Sequence, residues 1–139
     1  MAVFTCVKTG KASESATWDK GAETPGSTSE CIIPTGKEVK FEANLSIVNL
    51  LHEGTGKSFV TKQLTFTGEG KPLKLVDSNS LTCSGATAKI AYNPGNKTAE
   101  IESKGIDFRS LGLNGTANSK YSLQSTTKSN IFQLLVNVG

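Results

Sequence analysis

Val39, Phe41, Ala43, Leu45 and Ile47 are apolar, and the residues between them, Lys40, Glu42, Asn44 and Ser46, are polar. An extended chain points successive side chains to opposite faces, so this alternation specifies a strand with one dry face and one wet face. Shorter runs of the same kind recur at 2–8, 59–67, 73–76, 81–83, 86–92, 98–103, 106–108, 121–123 and 131–138. Turn chemistry separates them: Pro34-Thr35-Gly36, Gly54-Thr55-Gly56 and Asn93-Pro94-Gly95-Asn96. The last is the strongest turn signal, and it predicts a hairpin or a tight corner joining 86–92 to 98–103. Residues 48–52 break the alternation and read as a helical turn. No window sustains a helical period over three turns.

These signals predict an all-β chain, 1–139, folded as a single domain of about nine or ten short strands. A β-sandwich of jelly-roll type and a short β-solenoid both satisfy that pattern. Val39, Val60, Leu81, Ile101 and Tyr121 start strands 21, 21, 20 and 20 residues apart, a period that suits one coil of a solenoid. One stretch stands apart. Residues 9–30 are rich in Gly, Ser, Thr and Glu and are interrupted by Trp18 and Pro25, so they read as a long loop or arm pinned by Trp18.

Composition agrees with strands and turns. Fourteen glycines and a hydrophobic share of 36% suit many short strands better than helices. The formal charge of +3 is modest and reads as spread along the chain, with one arginine, Arg109, against fourteen lysines. No basic cluster interleaved with aromatics marks a nucleic-acid binder. No run is long enough for a membrane-spanning helix, and the apolar start Ala2-Val3-Phe4 is too short for a secretory signal.

Residues that could carry chemistry are few and scattered. Cys6, Cys31 and Cys83 are odd in number and widely spaced, which fits buried or free thiols better than a disulfide framework or a zinc site. His52 is the sole histidine and sits beside Leu50 and Leu51 with no nucleophile-elbow pattern. Gly54-Thr55-Gly56-Lys57-Ser58 has the tail of a phosphate-binding loop, but Leu51 stands where the leading glycine belongs and a strand follows. Asp77-Ser78-Asn79-Ser80 lacks the acid spacing of a calcium loop. Asp19, Glu23, Glu30 and Asp107 are isolated acids. No catalytic, metal or cofactor residue is therefore assigned, and an enzyme is not expected.

Thr17-Trp18-Asp19-Lys20-Gly21, then Pro25, then Cys31-Ile32-Ile33-Pro34-Thr35-Gly36-Lys37-Glu38-Val39-Lys40-Phe41 form a connected string. It resembles the opening segment of right-handed β-solenoid surface proteins and of phage virion proteins of decoration or head-fibre type. There a Trp, a Pro and an Ile-Pro-x-Gly-x-x-Val stretch lead into the first coil. The resemblance covers residues 17–41, and the repeated Gly-Thr-Leu coils typical downstream are missing. It implies that Trp18 caps an apolar stack and that the chain is a surface or virion part.

The expected function is a structural virion component, a decoration, head-fibre or tail-associated protein made in a host cytoplasm. Its expected partners are copies of itself, as a homo-oligomer, and neighbouring capsid or tail proteins. The expected contact residues are Trp18 and Pro25 in the long loop, and Ile131, Phe132, Leu134 and Val136 in the most apolar run. The alternative is a carbohydrate- or surface-binding module of a secreted adhesin, using Trp18, Tyr92 and Tyr121 as a stacking platform.

Overall fold

A computed structural model describes residues 2–54, 56–102, 104–123 and 131–138. Thr55 of the glycine-rich turn and Ser103 of the expected strand lie outside the described residues. In chain order the strands are β1 (Ala2–Thr5), β2 (Gly10–Lys11), β3 (Ser29–Ile33), β4 (Val39–Phe41), β5 (Leu45–Ile47), β6 (Asn49–His52), β7 (Ser58–Val60) and β8 (Gln63–Phe66). They continue as β9 (Leu73–Lys74), β10 (Leu81–Cys83), β11 (Lys89–Tyr92), β12 (Thr98–Ile101), β13 (Phe108–Gly115), β14 (Lys120–Leu123) and β15 (Ile131–Val138). A single 3-10 turn, Ser15–Thr17, is the one helical element among the described residues.

Every pair of these strands is parallel, which two tight turns alone cannot produce. The chain solves this by coiling. β3, β4 and β5 each enter a different sheet, and β6, β7 and β8 repeat the circuit one layer on, as do β9, β10 and β11. One wall holds β1, β3, β6 and β9, and a bridge from Gly70 to Ala99 carries it on to β12 and β14. A second wall holds β2, β4, β7 and β10, and the third holds β5, β8, β11, β13 and β15. The fold is thus a β-solenoid, the second of the two architectures expected.

Stacked coils place like residues above one another. On the third wall Leu45, Leu64, Ile90, Leu111 and Leu134 form one continuous ladder, and Ile47, Phe66, Tyr92, Leu113 and Val136 form another. On the first wall Phe4, Cys31, Leu50 and Leu73 align in the same way. These side chains meet in one core, where Ile33, Ile47, Val60, Leu64, Phe66 and Ile90 are wholly buried. Each such aliphatic or aromatic side chain contributes about 1.5–3 kcal/mol on burial, which offsets the shortness of the strands.

The structure corrects several expectations. The long alternating run 39–47 is two strands, because the chain turns at 42–44 between β4 and β5 and leaves Ala43 exposed. Residues 48–52 form no helical turn. Instead Asn49–His52 is β6, held between β3 and β9. Of the hairpin and the tight corner expected at Asn93-Pro94-Gly95-Asn96, the chain makes the corner, since β11 and β12 lie on different walls. There are fifteen strands among the described residues, not nine or ten, because each turn of the coil is broken at its corners.

The expected period was close but shifted. Lys40 pairs with Phe59 and Phe41 with Val60, so the coil here is 19 residues and Val39 aligns two positions short of Val60. Ser58 then pairs with Leu81, a coil of 23. Ile101 and Tyr121 belong to β12 and β14 on another wall.

Residues 9–30 form no free arm. β2 and the 3-10 turn lie within them, and Trp18 anchors the rest. Its indole N–H donates to the Ala12 carbonyl at 3.0 Å, and its ring meets Phe4 edge to face with centroids 6.3 Å apart. Cys6 N–H reaches the Ile32 carbonyl on one side, at 2.9 Å, while Val7 N–H reaches Thr17 on the other, at 2.8 Å. Neighbouring amides of an extended chain point in opposite directions. Thr17 and Trp18 therefore cross the edge of the first coil that faces away from β3, and seal that end.

Candidate functional site

The nearest approach to reactive chemistry is a pair that spacing alone did not suggest. His52 ends β6 and Ser58 opens β7, so the corner between them folds back and sets His52 Nε2 2.9 Å from Ser58 Oγ. That Ser58 oxygen also accepts the Val39 N–H of the preceding coil at 3.0 Å. His52 is 1% exposed and Ser58 fully buried, so the couple faces the core and no substrate has access to it. Burial lowers the imidazole pKa, and the negative charges of Asp77 and Glu38 pull it partly back. Its Nδ1 is buried with no hydrogen-bond partner. The pair thus works as a polar brace between coils.

The other isolated groups serve turns and seams. An Asp19 carboxylate oxygen accepts the Thr5 N–H at 2.9 Å. Asp77 accepts the Asn79 N–H at 2.8 Å and caps the turn before β10. Glu102 lies 3.0 Å from both Lys71 and Lys104, and those two ammonium groups hold its carboxyl below the usual range. The three cysteines are free thiols, and burial pushes Cys31 up to about 12 and Cys83 up to about 11, far from thiolate reactivity at neutral pH. Lys57-Ser58 runs into a strand, without the helix that a phosphate loop needs. Among the described residues no three His, Cys, Asp or Glu side chains converge as a metal site.

The candidate contact residues divide into two sets. Trp18 and Pro25 are buried within the chain, Trp18 at the sealed end and Pro25 in the loop facing Ala43 and Leu45. Neither side chain is presented outward. Tyr92 is also buried, and Tyr121 is half-buried with its hydroxyl on the Asn114 carbonyl, so the three aromatics form no open platform for stacking a sugar.

The apolar run at the other end behaves differently. β15 is the outermost strand of the third wall, paired with β13 on one side only among the described residues. Leu134 and Val136 continue the two inward ladders, yet they are 54% and 61% exposed. Leu135 between them is exposed too, and Leu123 on β14, the last strand of the first wall, is 63% exposed. Ile131 and Phe132 lie on the same strand. Among the described residues, then, one end of the solenoid is sealed by Trp18, while at the other Leu134 and Val136 are exposed on a strand paired on one side.

Charges of both signs share the last layers: Glu100, Glu102 and Asp107 lie near Lys104 and Arg109 in the chain, and Glu102 pairs with Lys104. Sequence reasoning had the apolar run but could not place it at one end of the stack without the coil register. No protein-family model matches the chain, and no curated protein and no solved structure is similar enough to count as a match.

Proposed function

We propose that this protein is a structural component of a larger particle, a virion part of decoration, head-fibre or tail-associated type, which acts as a rigid spacer held by its neighbours. One observation carries the reading: an ordered apolar ladder runs the length of the core and is half-exposed at Leu134 and Val136, on a strand that among the described residues is paired on one side only. A strand edge of this kind recruits another chain by backbone hydrogen bonding, and contiguous apolar surface at a polar rim marks an interaction site. The resemblance of residues 17–41 to the opening of solenoid surface and virion proteins points the same way. The role needs no catalysis. Rigidity comes from the packed coils, and attachment comes from the open end.

Density-gradient sedimentation of lysate from cells that make the protein tests this. The wild-type chain should travel with material far heavier than its own 14.6 kDa. The double variant Leu134→Lys/Val136→Lys should stay at the top of the gradient. Wild-type protein found only at the top would sink the proposal.

A further inference from the structure

The coils are not all joined alike. Those that begin at β3, β6 and β9 are tied to one another by a parallel ladder on every wall. The next coil runs from β12 through residues 104–107 to β13, and among the described residues only the third wall ties it on with a ladder, Ile90, Ala91 and Tyr92 beside Leu111, Gly112 and Leu113. On the first wall the described residues make the single Gly70–Ala99 bridge. Its two bonds are Gly70 N–H to the Thr98 carbonyl at 3.0 Å and Glu100 N–H to the Gly70 carbonyl at 2.6 Å. On the second wall residues 104–107 pass β10 without forming a strand. A cleft of about 270 Å³ lies there, between Leu81, Thr82 and Cys83 on one side and Gly105 and Asp107 on the other. We infer that this seam is a hinge: the chain from β12 onward swings about the β11–β13 ladder, and surface ion pairs around Glu102 clasp it shut.

Side chains take over where the ladders stop. Lys71, just before β9, reaches Glu102, just after β12, at 3.0 Å, and Glu69 reaches Lys97 across the same seam at 3.4 Å. Lys104 holds the other oxygen of Glu102 at 3.0 Å, so the carboxylate is gripped from both sides. On the second wall the Arg109 backbone N–H donates to the Cys83 thiol. Ion pairs at the surface are weak and are screened by salt; both side chains of the Glu69–Lys97 pair are 64% exposed. A continuous backbone ladder has no such sensitivity. Ile101 and Ile106 are buried beneath the clasp, so the seam is closed in this structure. With one wall firmly joined and two joined loosely, the motion that breaks least is rotation about the firm one. It would bring Ile101, Ile106 and Leu81 to solvent and widen the cleft beside Cys83.

Hydrogen exchange on the full-length chain, combined with alkylation of its own cysteines, tests this. In wild type the amides of 98–101 and 104–107 should exchange together and faster than those of β3 to β8, while β11 and β13 stay protected. Glu102→Gln should speed exchange at 98–101 and 104–107 by about threefold or more. Raising salt from about 0.05 M to about 0.5 M should act in the same direction on wild type. Alkylation of Cys83, which lines the cleft, should rise in step, while Cys31, wholly buried between β1 and β6, serves as the internal control and should not change. Lys71→Gln removes a charge of the opposite sign and should still speed both readouts, which separates opening of the seam from a direct effect of charge on the thiol. Unchanged exchange at 98–101 and 104–107 in both variants would overturn the hinge. So would a gain spread evenly over β3 to β8 and Cys31, which reports global unfolding. Loss of protection in β13 together with β12 would also overturn it, because the coil would then detach whole and the ladder would be no axis.

Discussion

Among the described residues, two buried side-chain atoms lack hydrogen-bond partners, His52 Nδ1 and the Tyr92 hydroxyl. An unpartnered buried hydroxyl costs stability, so Tyr92→Phe, which keeps the ring against Phe66, should leave the protein as stable or up to about 1 kcal/mol more stable. Chemical denaturation measures this, and a clear loss of stability would mean that the hydroxyl has a partner. His52 sets a pH limit. Its folded pKa lies below the ordinary 6.5, because burial disfavours the imidazolium. The unfolded chain therefore binds the proton more readily than the folded one. Stability is full above about pH 7 and declines as the pH falls through 6.5 toward the folded pKa. At the alkaline side the raised thiols act in reverse, and stability is lost as the pH climbs from 9 toward the values of about 11 for Cys83 and about 12 for Cys31. Melting temperature between pH 7 and 5 should drop more steeply for wild type than for His52→Gln. Parallel slopes would remove His52 as the cause.

At the scale of the element, the corners decide the fold as much as the strands do. Gly54 has φ of +88°, and a Cβ placed there would sit 2.7 Å from the Thr35 Cα of the previous corner. Both the left-handed backbone and the close approach exclude a side chain. Gly54→Ala should therefore cost about 1–3 kcal/mol, read from the denaturation midpoint, whereas Gly36→Ala, with open space around it, should cost less. Equal losses would show that φ alone matters. Corners are also where sequence reading faltered. Period two continued from Val39 through Ile47 because the chain alternates through the bend at 42–44, and nothing in the polar pattern marks a change of wall. Residues 48–52 looked irregular because Asn49, Leu50, Leu51 and His52 form a strand whose outer face is partly apolar and whose inner face includes a histidine. The apolar strands themselves, and the run at 131–138, were plain in the sequence. Their parallel register was not, since it depends on corner lengths that change the coil from 19 to 23 residues. The candidate site was half legible for the same reason: the apolar run could be read directly, while its position beside Leu123 at one end of the stack needed the stacking order.

For the whole molecule, the contacts that hold it run between adjacent layers of each wall, and the two ends are finished differently. Trp18→Ala should cost about 3–5 kcal/mol as a large buried ring is lost. Hydrogen exchange should place the first losses of protection in β1 and β2, and loss in β15 alone would contradict the sealing role of the loop. A structure joined only layer to layer behaves as a one-dimensional chain of links, each secured by its neighbours. Tension on Val138 would peel β15 from β13 and then travel inward one coil at a time, at modest force. The same tension on Ala2 would first have to draw Phe4 away from the Trp18 ring and break the Val7–Thr17 bond. The molecule is therefore mechanically polar: it unzips from its last rung and resists from its first.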